Sequence, residues 1–321
     1  MFYCSLFLLP VLLSACSPAR PITTDSAGIA PQVMLDVPFY PQQIYHCGPA
    51  ALAGLMEFNG HYHSPAELAE WIYIPDRKGS LQIEIQAAIR RAGLLAYPLK
   101  GELAYLLQQL DAGQPVLVLQ NLGLASLPQW HYATLIGYDL EQQQLVLHSG
   151  TYPNYRISIN TFLNTWERAG RWSILALPPS RLPAYPQAEV FLQAAADLES
   201  VGQQQAAIDA YSTALSRWPQ QGLALMGLGN LYYARAEYEA SIRAFGSLVQ
   251  LQPDNAMAWN NLAYAYEAHG CHELALASIE HALTLSPADT RLLDSREELT
   301  SGGKQQLNPR GSCEELKVLL P

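Results

Sequence analysis

The sequence predicts an α+β domain followed by an all-α superhelix of stacked helix pairs. Three observations carry this. The chain has 321 residues, and a soft prior of one domain per about 150 residues makes that two. Between Leu35 and about Pro178, segments of helical period come first and segments of strand period follow, a layer plan of the α+β kind rather than alternating β-α units. Beyond them Pro219, Pro253 and Pro287 recur at a spacing of 34, the period of a repeated helix pair. Half the residues are apolar and 14% are charged, against about 25% charged in an average soluble protein, so a sizeable core can be buried and a disordered chain is excluded. Lys and Arg number 18 and Asp and Glu 28, a net charge of −10. That balance argues against a phosphate-tracking surface, and no nucleic-acid partner is expected.

The amino terminus reads as a targeting segment. Residues 1–15 form a short apolar run closing in small residues, the shape of a secretory signal. The run is too short for a membrane helix, and no apolar run of about 18 residues follows it. Its end, Leu13-Ser14-Ala15-Cys16, resembles the bacterial lipoprotein lipobox, which implies lipidation of Cys16 as the first mature residue; Ser17 resembles an outer-membrane sorting signal. No Lys or Arg precedes the run, a departure from the pattern, and an ordinary signal peptide with an incidental Cys is the alternative. Residues 16–34, rich in Pro, Thr, Ser, Ala and Gly, read as a flexible tether. The expected location is the bacterial cell envelope, on the periplasmic side of the outer membrane, with the lipid as the only membrane contact.

The first domain spans residues 35–180. Helices are expected from Gly48 to about Phe58, ending at Asn59-Gly60; from the capping box Ser64-Pro65-Ala66-Glu67 to Trp71; from Leu81 to Ala92; and from Glu102 to Asp111. Strands then run from Pro115 to Leu119, His131 to Tyr138, Gln144 to Leu147, Tyr155 to Ile159 and Trp172 to Leu177, with a short helix from about Thr161 to Arg168 before the last.

Residues 187–299 form the second domain. Stepping by 34, large apolar residues recur as Phe191, Leu225 and Trp259, small ones as Ala195, Gly229 and Ala263, and second-helix residues as Tyr211, Phe245 and Ile279. The pattern resembles tetratricopeptide repeats, three of them, capped by the segment from Ala288 to about Leu299. That resemblance implies a concave groove for a peptide or partner protein, in which Asn230, Asn260 and Asn261 are candidates to bind a backbone; the alternative is a packing platform for the first domain. His269, Cys271 and His272 share one turn, too short to wrap a metal ion without a further ligand, and read as surface residues. Residues 300–321 read as a tail.

Removing Cys4 with the signal and committing Cys16 to lipid leaves Cys47, Cys271 and Cys313. A Cys271–Cys313 bridge is one option, but a helical setting for one and a polar tail for the other favour free thiols. Cys47 is the odd thiol, in Gln42-Gln43-Ile44-Tyr45-His46-Cys47-Gly48-Pro49-Ala50-Ala51. Gly-Pro there opens an apolar helix, so the thiol lies at a helix amino terminus, where unpaired N–H groups favour thiolate, and a thiolate below pH 7 is expected. Its proton partner is expected to be His131, at the mouth of the apolar strand Trp130-His131-Tyr132-Ala133-Thr134.

Gln-x-x-x-x-Cys-Gly-Pro-Ala-Ala, followed about 80 residues later by His-Tyr-Ala-x-x-x-Gly-Tyr-Asp, resembles the papain-like cysteine peptidases of the bacteriocin-processing, double-glycine leader peptidase group, in a lipoprotein branch carrying tetratricopeptide repeats. The resemblance implies Cys47 as nucleophile, His131 as general base and then acid, and an upstream Gln amide stabilising the oxyanion. Gln42 takes that role, with Gln43 as the alternative. The family places an Asp or Asn about 15 to 18 residues after the His, but here the chain reads Leu145-Val146-Leu147-His148-Ser149-Gly150. His148 is taken as the residue orienting His131, with Ser149 the weaker option; Asp139 lies more than about 20 Å along the strand. The functional expectation is an envelope cysteine peptidase acting on a peptide or protein substrate. A peptidase fold kept as a scaffold is the alternative, and an amidase of peptidoglycan stem peptides is a third. No metal or organic cofactor is implied.

Overall fold

The computed structural model describes residues 28–42, 45–302 and 313–317. The signal segment, Cys16 and Gln43 lie outside the described residues.

Seven antiparallel strands form one sheet: β1 (Gln32–Met34), β2 (Leu95–Pro98), β3 (Val116–Asn121), β4 (Trp130–Asp139), β5 (Gln144–Ser149), β6 (Tyr152–Ser158) and β7 (Ser173–Leu177), in the order β2-β7-β3-β4-β5-β6. β4 is the longest because it is shared. β3 pairs with its residues Trp130 to Leu135, and β1 takes over from Gly137 to Asp139. Gly137 is required at the hand-over, since a Cβ there would lie 2.4 Å from the Val33 carbonyl oxygen. The expected tether through residue 34 is thereby corrected, because its last three residues are a strand. Three residues are too few for alternation to show in a sequence. β2 also went unread; it is short, pairs with β7 alone, and ends in Pro98, which an edge strand tolerates.

Strand alternation sends successive side chains to opposite faces, and each face is covered. On one lie α1 (Cys47–Phe58), α2 (Pro65–Ile72) and α3 (Gln82–Arg91). There Leu52, Leu55, Met56, Leu68, Ile85 and Ile89 pack against Leu117, Tyr132 and Ile174. On the other lie α4 (Leu103–Asp111) and α5 (Ile159–Glu167), with Leu106, Leu110, Phe162 and Trp166 against Val116, Val118, Ala133 and Leu135. α2 starts where its capping box predicts, Ser64 Oγ accepting from Glu67 N–H while the Glu67 carboxylate accepts from Ser64 N–H.

The second half is a run of helices: α6 (Ala188–Ser200), α7 (Gln204–Arg217), α8 (Gly222–Ala234), α9 (Tyr238–Leu251), α10 (Ala256–His269), α11 (His272–Leu285) and the terminal α12 (Thr290–Gly302). Pro219, Pro253 and Pro287 each fall just after a second helix, where a missing N–H costs nothing. At Gly229 a Cβ would come within 2.4 Å of the Phe245 ring, which is why the pattern demands a small residue there. The first repeat continues the core of the sheet domain: Phe191, Leu192 and Leu198 share its cluster. The seam is tied by an Arg90–Asp197 ion pair, by Gln203 Nε2 donating to the Arg91 carbonyl at 2.9 Å, and by Gln187 N–H donating to Tyr97 Oη at 3.1 Å. The platform alternative is thus physically present.

Two expectations at the carboxy-terminal end are overturned. Cys271 and Cys313 form a disulfide, and Tyr266 Oη donates to the Leu316 carbonyl at 2.7 Å, so part of the tail lies on the last repeat. The turn that carries Cys271 is not a surface cluster either: His269 and Cys271 are buried, and His272 Nδ1 pairs with Glu267. Polar composition hid a segment that is held by one covalent bond, one hydrogen bond and the packing of Leu316 on the last-repeat core.

Candidate active site

Cys47 is the first residue of α1. Tyr45, two residues before it, adopts φ 65°, and His46 ends the irregular approach, its ring edge-on to Tyr73 at 4.7 Å. Gly48 lets the segment around Ser80 close over the helix start, because a Cβ at Gly48 would lie 2.9 Å from Ser80 Oγ. The backbone N–H groups of Tyr132, Gly48 and Cys47 itself lie close enough to favour the thiolate, and they pull the sulfur's pKa down. Tyr132 follows His131, so the thiol is seated against the mouth of β4.

Burial nevertheless pushes the Cys47 thiol up, and the N–H groups only partly offset it. The thiolate expected below pH 7 is therefore corrected: desolvation outweighs the helix terminus. His131 is buried and shifted the other way, its imidazolium disfavoured by desolvation. Both effects favour a neutral thiol and a neutral imidazole at rest.

His131 Nε2 lies 2.8 Å from Ser149 Oγ. His148 does not orient it. Its Nε2 donates to the Val37 carbonyl at 2.8 Å and its Nδ1 accepts from Asn154 N–H at 3.3 Å, leaving neither nitrogen free. The reason is strand parity: His148 and Ser149 are neighbours on β5 and point to opposite faces, so only one of them can meet His131. That parity was the signal available to a reader of the sequence. Asp139 sits at the far end of β4, paired in register with Gln32 and Gln144.

Gln42 is anchored by its N–H to the Gly150 carbonyl at 3.1 Å, and its buried Oε1 has no hydrogen-bond partner. Gly150, with φ 64°, makes the turn that brings this carbonyl under Gln42. Cys47 stands between two hollows. A small one behind it is lined by Gln42, Thr134 and His148. The other, a cavity of about 850 Å³, is lined by Cys47, His131, Gln42, Tyr45, Ser80 and Trp130 among others. Nucleophile, base and amide candidates thus open on one space large enough for several residues of a peptide. In the repeats, Asn261 Nδ2 reaches Asn230 Oδ1 at 3.4 Å, whereas Asn260 is buried. Among the described residues no group of three or more His, Cys, Asp or Glu is arranged to hold a metal.

Two family profiles match the two parts of the chain. The profile of the Peptidase_C39 like family matches residues 34–174, and that of the Tetratricopeptide repeat matches 192–242 and 228–290. A curated relative, the peroxisomal targeting signal receptor of Candida albicans, is 35% identical over 66 residues, 21% of this chain and 11% of the receptor. The chain therefore spans only a small part of that protein. Among solved structures, one described as a C39-like peptidase of Bacillus anthracis is 20% identical, with a TM-score of 0.38, covering 44% of this chain and 96% of that one. The first tetratricopeptide domain of Spaghetti, bound to an HSP90 peptide, is 17% identical with a TM-score of 0.34, over 36% of this chain and 91% of that one. The chain carries a domain of the Peptidase_C39 like family followed by tetratricopeptide repeats.

Proposed function

We propose that this chain is a cysteine peptidase of the bacterial envelope, anchored through a lipid on Cys16, that hydrolyses a peptide bond with Cys47 and His131. One observation carries the reading: Cys47, at the start of α1, opens on the same cavity as His131, whose Nε2 is engaged by Ser149 Oγ.

With both groups neutral at rest, His131 Nδ1 takes the thiol proton as the sulfur bonds to the substrate carbonyl carbon. Ser149 Oγ fixes the ring by accepting a hydrogen bond from Nε2–H, which stays on the imidazole. The oxyanion is met by the Cys47 N–H and the Gln42 side-chain amide, which must present its nitrogen to the cavity. Collapse breaks the C–N bond, and the amine leaves with the proton from His131. Water then attacks the thioester, giving its proton to His131; the acid departs and the thiol regains that proton. The Cys271–Cys313 disulfide supports an oxidising compartment. The repeats are read as the site for a substrate or protein partner.

The scaffold reading has one observation in its favour. A hydroxyl, not a carboxylate, faces the imidazole, and it stabilises a developing imidazolium less. Comparing envelope peptides by mass spectrometry from cells carrying wild type and Cys47→Ala decides between them. Peptides that vanish with the thiol support a peptidase; identical profiles favour the scaffold.

A further inference from the structure

The cavity beside Cys47 has a lining of two unlike parts. One is the loop from Leu122 to Gln129 with Trp130 at the start of β4, where large apolar residues are left in solvent: Leu122 is 46% exposed, Leu124 71%, Leu127 76% and Trp130 55%. This loop is built, not slack. Asn121 Oδ1 accepts from the N–H groups of Gly123 and Gln129 at 3.0 and 2.9 Å, and the Arg168 guanidinium holds the Asn121 carbonyl. A fixed apolar surface beside a cleft marks an interaction site. Leu122 and Trp130 line the cavity directly.

Another part of the lining is cationic, formed by Arg77 and Lys78. Arg77 and Lys78 end a short turn that is closed by Ile74 N–H donating to the Gly79 carbonyl at 2.9 Å, and Lys78 adopts φ 48°. Lys78 Nζ lies 5.6 Å from the centre of the Tyr45 ring. Among the described residues neither cation is in an ion pair. Asp76 adjoins them in sequence, but among the described residues no Asp or Glu lines the cavity, in a chain where carboxylates outnumber Lys and Arg 28 to 18.

We propose that the cavity selects a peptide segment in which a large apolar side chain stands next to a carboxylate. Leu122 and Trp130 cover the apolar group, and Lys78 with Arg77 takes the acid. The inference rests on the peptidase reading for its consequence, cleavage, but not for the binding itself.

The test separates the two. Fluorescence polarisation on the Cys47→Ala protein compares a labelled peptide containing Leu-Glu or Phe-Asp with its Gln or Asn counterpart. The acidic peptide is expected to bind about tenfold tighter, one charge-assisted contact. That advantage is lost in Cys47→Ala carrying Arg77→Glu and Lys78→Glu, and the acidic peptide's affinity falls in Cys47→Ala carrying Trp130→Ala. Equal binding of acidic and amide peptides, or an advantage that survives the charge reversal, overturns the proposal. Wild-type protein is then given the same peptides. Acid-selective binding without cleavage leaves the proposal standing and removes the peptidase reading. Cleavage indifferent to the acid does the reverse.

Discussion

Replacing Ser149 by Asp tests whether Cys47 and His131 act as a pair. The hydroxyl lies 2.8 Å from His131 Nε2, so a carboxylate in its place would face the ring within direct contact. An opposite charge at that range moves a pKa by roughly 1 to 3 pH units, or about 1.4 to 4 kcal/mol in favour of imidazolium. The present shift is downward, from burial alone, so the carboxylate acts against it. A stabler imidazolium makes the thiolate-imidazolium pair cheaper to form, and the thiol titrates lower. Iodoacetamide alkylation is followed against pH, with modification at Cys47 quantified by peptide mass mapping. Wild type is expected to react with an apparent pKa above the ordinary thiol value of about 8.5, because burial raises it. Ser149→Asp is expected to move the profile to lower pH and to speed the reaction near neutrality by about tenfold or more. Ser149→Asn, neutral and of similar size, controls for misfolding and should leave the profile near that of wild type. An Asp variant that is folded but keeps the wild-type profile would show that the imidazole does not exchange a proton with the thiol, and the mechanism would fall.

Two further outcomes concern the repeats. Gly229→Ala places a methyl 2.4 Å from the Phe245 ring in a packed helix pair, so overpacking of about 1 to 3 kcal/mol is expected as a lower thermal midpoint; an unchanged midpoint would mean the helices can part freely. Cys271→Ser with Cys313→Ser opens a closed loop of 42 residues, which loop entropy values at about 4 kcal/mol, and amide exchange should rise first in α10 to α12. Exchange that rises equally in the sheet would contradict a local role.

What the sequence disclosed and what it hid divide along physical lines. The repeats were legible because a helix pair stacked on copies of itself must place large residues at Phe191, Leu225 and Trp259 and small ones at Ala195, Gly229 and Ala263, and a fixed spacing survives any drift in composition. The helix at Cys47 was legible because Pro49 suits a first helical turn and an apolar helix-forming run, Ala50-Ala51-Leu52-Ala53, follows it. The short strands at Gln32–Met34 and Leu95–Pro98 were not, since pairing partners far along the chain define them and a local window contains no trace of those partners. The Cys271–Cys313 bond was missed for the same reason: a tail with no apolar period can be fastened by one residue. The thiol's pKa went astray because a helix terminus is a local feature, whereas desolvation depends on everything packed around it. His148 and Ser149 show how little separates the two kinds of information. Both lie at the right distance in sequence from His131, and chemistry alone prefers the imidazole. Alternation decides against it, since a strand that turns Ser149 toward His131 must turn His148 toward Val37. The hydroxyl that results can hold the ring without charging it, and burial of both groups then favours the proton on sulfur, the starting state of the proposed mechanism.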